Sequence, residues 1–120
     1  MLSIATSVVV FLVAILHVYI LVLEMFFWDK PLGRKAFGLS ANFAAQTKTL
    51  AANQGLYNGF LAAGLFWGLA LGQAGFSIKV FFLLCVFIAG VYGGLTANKK
   101  ILLIQAVPAA LGLVLLFLAA

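Results

Sequence analysis

The sequence predicts an all-α polytopic membrane protein, with four transmembrane helices in an antiparallel bundle and both termini on the non-cytoplasmic side. Three observations carry this expectation. Of 120 residues, 67% are hydrophobic and 8% charged, with a mean hydropathy of +1.28. Soluble domains are roughly half apolar and about a quarter charged. The apolar residues also fall into runs near the roughly 20 residues that a spanning helix needs. Finally, the basic residues cluster between those runs. Together these exclude a soluble globular enzyme, a disordered tail and a disulfide-stapled module. A transmembrane barrel is excluded because its strands would alternate polar and apolar residues.

The expected organisation is one integral membrane domain, 1–120, with helices over about 2–28, 50–72, 78–97 and 101–119 and a basic cytoplasmic loop over 29–49. The first run, Leu2 to Trp28, is too long for a signal peptide and lacks a basic start and a cleavage site, so it reads as a retained helix. In the loop, Pro31 can start a short interfacial helix, with Leu32, Ala36 and Phe37 on its membrane side and Arg34 and Lys35 reaching outward. Ser40 is a candidate N-cap, which starts the second long helix near Ala41. The turn Gln73–Ser77 and the connection Asn98-Lys99-Lys100 are short enough to force antiparallel neighbours. Pro108 lacks a backbone donor and is expected to bend the last helix. Small residues at spacings of four, Gly55, Gly59 and Ala63 on one line and Gly64, Gly68 and Gly72 on another, offer two close-packing surfaces. Gly90, Gly94 and Gly112 add others on the later helices.

Orientation follows from charge. The first and third connections carry Lys30, Arg34, Lys35, Lys48, Lys99 and Lys100, while the opposite side has Lys79 alone. Basic residues favour the cytoplasmic side, so those connections are expected in the cytoplasm and both termini outside; the expected location is the inner (plasma) membrane, as a multi-pass chain. The net charge of +5 is therefore a topology signal and an attraction to anionic lipid headgroups, with no implication of nucleic-acid binding. Cys85 is single and embedded in apolar sequence, where it serves as packing material.

With Trp28 and the basic residues as interface marks and 1.5 Å per residue, His17 falls near the bilayer midplane. Glu24, seven residues on, lies about 10 Å nearer the cytoplasm on almost the same helix face. Asn53 and Gln54 reach the Glu24 level, Tyr57 and Asn58 lie between that level and the midplane, and Tyr92 and Gln105 come out at similar depth. Intramembrane polar groups are costly and tend to face a bundle interior or cavity, so this layer predicts a pocket open to the cytoplasm. Glu24 and His17 are the catalytic candidates, as a pair able to move a proton. Glu24, Arg34, Asn53, Gln54, Tyr57, Asn58, Tyr92 and Gln105 are the candidate ligand-binding residues. Single-residue alternatives stand beside this reading: Glu24 paired with Arg34 or Lys48 at the interface, His17 as a satisfied core histidine, and the amides as interhelical clamps. One histidine and one intramembrane carboxylate cannot furnish a three- or four-ligand metal site, and neither a cofactor motif nor a hydrolase triad is present.

Glu24-Met25-Phe26-Phe27-Trp28, Gly33-Arg34-Lys35 and Phe37-Gly38-Leu39 resemble the first-helix end and loop of the domain of unknown function 1304 family. The run from Leu50 through Asn53-Gln54-Gly55-Leu56-Tyr57-Asn58-Gly59 to Leu61 extends the similarity, as do Gly90-Val91-Tyr92-Gly93 and Lys100-Ile101-Leu102. The resemblance covers nearly the whole chain. It implies a small, mostly bacterial, four-helix integral membrane protein and adds no reaction. Its motif residues are Glu24, Arg34, Asn53, Gln54, Tyr57 and Asn58.

Three functions fit these residues. The first is a protein binding or acting on a small amphipathic molecule or lipid from the cytoplasmic leaflet. The second is a proton-coupled small-molecule transporter working as a homodimer. Small multidrug transporters share the length and a first-helix glutamate, but their surrounding motif is not found here. The third is a non-catalytic assembly subunit using the glycine lines as partner surfaces. The expected partners are membrane lipids, a small-molecule ligand and a second copy of the chain.

Overall fold

The computed structural model describes all 120 residues and is entirely helical. Its elements are α1 (Leu2–Phe26), α2 (Pro31–Phe37), α3 (Ala41–Ala70), a 3₁₀ turn (Gly72–Gly75), α4 (Phe76–Thr96), a π-helical turn (Leu102–Ala106) and α5 (Val107–Ala119). Three stretches are long and apolar enough to cross a membrane: Leu2–Phe26, Gly72–Thr96 and Leu102–Ala119. Helix α3 is long but more polar, because Gln46, Lys48, Asn53, Gln54 and Asn58 all fall within it.

The local starts and stops follow from residue chemistry. Pro31 occupies the first turn of α2, where its missing N–H removes nothing. Gly38 ends α2 with φ 66°, in the left-handed region that favours glycine. Ser40 caps α3 through its Oγ, which accepts from the Phe43 N–H at 3.1 Å. Asn98 Oδ1 accepts from the Lys100 N–H at 2.9 Å and so opens the final helical segment. Pro108 cannot donate to the carbonyl four residues earlier. The helix widens just before it: the Val107 N–H reaches back five residues to the Leu102 carbonyl.

The chain forms two compact units. The larger comprises Met1–Ala14 and Leu61–Ala120. Its core holds Val10, Val13, Ala14, Leu65, Leu83, Val86, Ala109 and Leu116. Edge-on aromatic pairs, Phe11 with Phe66 and Phe76 with Phe117, pack around it. Gly64 and Gly68 admit Phe82 and Lys79 of α4, and Gly90 admits the backbone of Ala106. Outward, the unit shows apolar faces such as Phe81, Leu84 and Ile88 on α4 and Leu111, Val114 and Phe117 on α5. Helices apolar on every side suit a lipid environment.

The smaller unit is Ile15–Phe60. Gly55 and Gly59 let α3 approach α1: a Cβ at Gly55 would fall 2.7 Å from Met25 Cγ, and one at Gly59 2.6 Å from Leu21 Cδ1. The two glycine lines of α3 thus serve two different neighbours, one in each unit. Helix α2 folds back on the end of α1, where Gly33 lies against the Phe27 carbonyl and a Cβ would collide with main chain.

Candidate functional site

The inward face of α3 in the smaller unit is set by Ala51, Gly55 and Asn58, which recur at helical spacing and are all buried. Asn58 sits at one edge of the polar stripe and turns toward α1. There its Nδ2 donates to Glu24 Oε1 at 2.6 Å. The same Nδ2 donates to the Gln54 carbonyl at 3.2 Å, so both amide hydrogens are committed and the side chain is held in one orientation. Glu24 is 8% exposed and Asn58 7%. Because Gly55 lacks a side chain, the Glu24 Cβ comes within 3.0 Å of where a Cβ would stand. That close approach is what brings a short amide within reach of the carboxyl. His17, two turns earlier on α1, is fully buried.

Other sequence-predicted residues are placed differently. Asn53 is exposed and donates to the Thr49 carbonyl of its own helix at 2.9 Å. Gln54 is exposed, and Tyr57, 60% exposed, stacks edge-on with Phe60. Arg34 is half-buried, with Nε donating to the Leu39 carbonyl at 3.4 Å. Tyr92 and Gln105 belong to the larger unit; Tyr92 is 71% exposed on α4, and Gln105 is half-buried in the π turn.

The pairing of Glu24 with Arg34 or Lys48 is not what forms. Lys48 binds Asp29 instead, Nζ to Oδ2 at 3.2 Å. That contact, with Lys48 as hydrogen-bond donor, holds the Asp29 carboxyl below its ordinary 3.8. Trp28 joins the same end of the unit: its Nε1 donates to Thr47 Oγ1 at 2.9 Å, and its ring lies 4.9 Å from that of Phe37. Neither contact was anticipated, although an aromatic with an N–H at a helix end is a recognisable anchor.

Sequence reasoning also left the polar residues near the start of α1 and the turn after α3 without a role. In the larger unit they line a cavity of about 620 Å³, walled by Ser3, Ser7, Gln73 and Lys79 together with Leu69 and Phe76. The available signal was Ser3 and Ser7, four residues apart on one face of α1, and a lysine at the start of an apolar helix.

Comparison with known proteins gives two similarities. The family described as "Protein of unknown function (DUF1304)" matches residues 11–117. The "Uncharacterized protein YpaA" of Lactococcus lactis subsp. lactis (strain IL1403) is 32% identical over 114 residues, covering 93% of this chain and 96% of that protein. No solved structure matches.

Proposed function

The chain belongs to the DUF1304 family of proteins of unknown function, and from that premise we propose that it is a small multi-pass membrane protein that binds the polar head of an amphipathic molecule or lipid from the cytoplasmic leaflet. The observation that carries this reading is the buried hydrogen bond between Glu24 and Asn58. A carboxyl buried between α1 and α3 and held by a neutral amide is costly, and such a group within a membrane marks a functional site by default. Oε1 is occupied by Asn58, and the second carboxyl oxygen can accept a hydrogen bond from a ligand or take a proton. Arg34, Lys30 and Lys35, on and beside α2, supply the attraction for an anionic group. Exposed Leu32 and Phe37 give α2 the apolar side of an interfacial helix. Asn53, Gln54 and Tyr57 then form the outward polar edge past which a head group enters.

In this reading α3 is the fourth spanning helix. At 30 residues it is about 45 Å long, enough to cross the hydrocarbon and project beyond it. Six basic residues in the first and third connections favour a cytoplasmic side for those connections, with both termini outside.

Native mass spectrometry of the protein released from nanodiscs tests the reading. The wild type is expected to retain a small molecule or lipid that Asn58→Leu loses. A wild type carrying no such adduct, or an Asn58→Leu variant that keeps as many adducts as the wild type, overturns the proposal. The pairing of Glu24 with an amide instead of a cation also favours a second reading, proton-coupled transport. In proteoliposomes that reading requires substrate-driven proton flux, abolished in Glu24→Gln.

A further inference from the structure

We propose that the cavity around Lys79 is a second binding site, one that takes an anionic amphiphile: a phosphate or carboxylate head carrying at least one acyl chain. The proposal stands on the larger unit alone and does not depend on the role given to Glu24.

Lys79 is 8% exposed, yet its ammonium has a single protein partner, the Gly72 carbonyl at 3.1 Å. An ammonium carries three donors, and a buried cation is tolerated when an anion or further acceptors complete its shell. The chain offers it no carboxylate side chain. Both acids, Glu24 and Asp29, lie in the smaller unit, where they bind Asn58 and Lys48.

The Lys79 side chain is also packed along its stem. Its alkyl stem crosses α3 at Gly68, where a Cβ would fall 2.6 Å from Lys79 Cγ. The carbonyl that fixes its head belongs to a turn residue with φ 60°, a conformation natural to glycine. The ammonium is therefore preorganised at the cavity wall.

The rest of the cavity suits the proposed ligand. Ser3 and Ser7 present hydroxyls from one face of α1 and Gln73 an amide from the turn, all able to donate to an oxyanion. Thr6, on the same rim, is already engaged, donating to the Leu2 carbonyl at 2.7 Å. Leu69, Phe76 and Leu116 form an apolar wall that a bare phosphate would leave unused. A volume of about 620 Å³ lies within the range of small-molecule sites, about 300–1,000 Å³.

The test is native mass spectrometry of the full chain in detergent, titrated with phosphatidylglycerol, with phosphatidylcholine of the same acyl chains, and with inorganic phosphate. Phosphatidylglycerol is expected to form a 1:1 adduct at a concentration about fivefold to tenfold below phosphatidylcholine, as one desolvated charge contact allows. Lys79→Met should erase that preference. Ser7→Phe, which fills the cavity and keeps the charge, should lower binding of both lipids. Running the series in Asn58→Leu as well separates this site from any lipid held near Glu24. Should Lys79→Met fail to fold by circular dichroism, Ser7→Phe decides alone. The proposal is overturned if Lys79→Met keeps the phosphatidylglycerol preference, or if Ser7→Phe binds both lipids as the wild type does. It is equally overturned if inorganic phosphate displaces the lipid completely at millimolar concentration, which would reduce the site to a simple anion hole.

Discussion

The two units each bury an ionisable side chain, and they satisfy it in different ways. In the smaller unit a carboxyl on α1 meets an amide on α3, two side chains 34 positions apart. In the larger unit an ammonium on α4 meets a backbone carbonyl only seven positions away. The first arrangement needs two helices held at a fixed spacing, which Gly55 and Gly59 provide. The second needs a turn of fixed shape, which Gly72 and Gly75 provide. A side-chain pair can be redesigned one partner at a time, whereas a main-chain acceptor can be lost only by moving the turn. The two sites should therefore respond differently to substitution.

The largest effects are expected where a glycine faces main chain. A Cβ at Gly75 would run into the Gly68 carbonyl, and one at Gly33 into the Phe27 carbonyl. Neither obstacle is a side chain that can turn aside, so Gly75→Ala and Gly33→Ala should each cost about 3 kcal/mol or prevent folding, at the upper end for overpacking. Gly55→Ala meets the flexible Met25 side chain first and should cost about 1–2 kcal/mol. Thermal unfolding in detergent measures all three. A tolerant Gly75→Ala would mean that the turn holding Lys79 is soft, and the contrast between the two units would collapse.

Next in size is the Glu24–Asn58 contact itself. Glu24→Leu leaves the buried Asn58 amide without its acceptor and should destabilise by about 1–3 kcal/mol. Glu24→Gln retains a side-chain oxygen facing the Asn58 donor, so its loss should be the smaller of the two. A double-mutant cycle of Glu24→Leu with Asn58→Leu should return a coupling of about 0.6–1.7 kcal/mol, as for hydrogen bonds between helices in lipid. Additive effects would show that the two groups do not depend on each other.

Much of the smaller unit was legible from residue types because its signals are local. Pro31 and Ser40 act within one turn of themselves, and the glycine spacing declares where helices approach. Depth along the helices puts Asn53 and Gln54 at the Glu24 level and Asn58 between that level and the midplane, yet it is Asn58 that bonds Glu24. It could not tell which edge of a stripe spread over about 140° turns inward. Asn58 lies at the buried edge, beside Gly55, while Asn53, Gln54 and Tyr57 face out. Of the alternatives the sequence leaves open for Glu24, pairing with Arg34 or Lys48 gives way to an interhelical amide contact through Asn58. Asp29, read as loop, had already engaged Lys48. Lys79 stayed hidden for a different reason. Its partner is a backbone carbonyl, which every residue possesses, and its burial depends on the missing side chain of Gly68 across the helix pair.

The Asp29–Lys48 pair should have the smallest effect, and it marks what the buried contacts are not. Lys48 is well exposed and Asp29 partly so, and exposed ion pairs contribute little because water and salt screen them. The Asp29 carboxyl is held below its ordinary 3.8, chiefly by the hydrogen bond from Lys48. A lowered folded-state value stabilises the fold above the unfolded value, and that contribution disappears as pH falls through the folded value. The pair should therefore leave the melting temperature unchanged across neutral pH and reveal itself only below about 3.8. Asp29→Asn should remove that acid limb and little else, and raising the ionic strength should mimic it in part. A large loss at neutral pH would instead make Asp29 a structural anchor for α3, and the ionic contact would have to be ranked with the buried pair at Glu24.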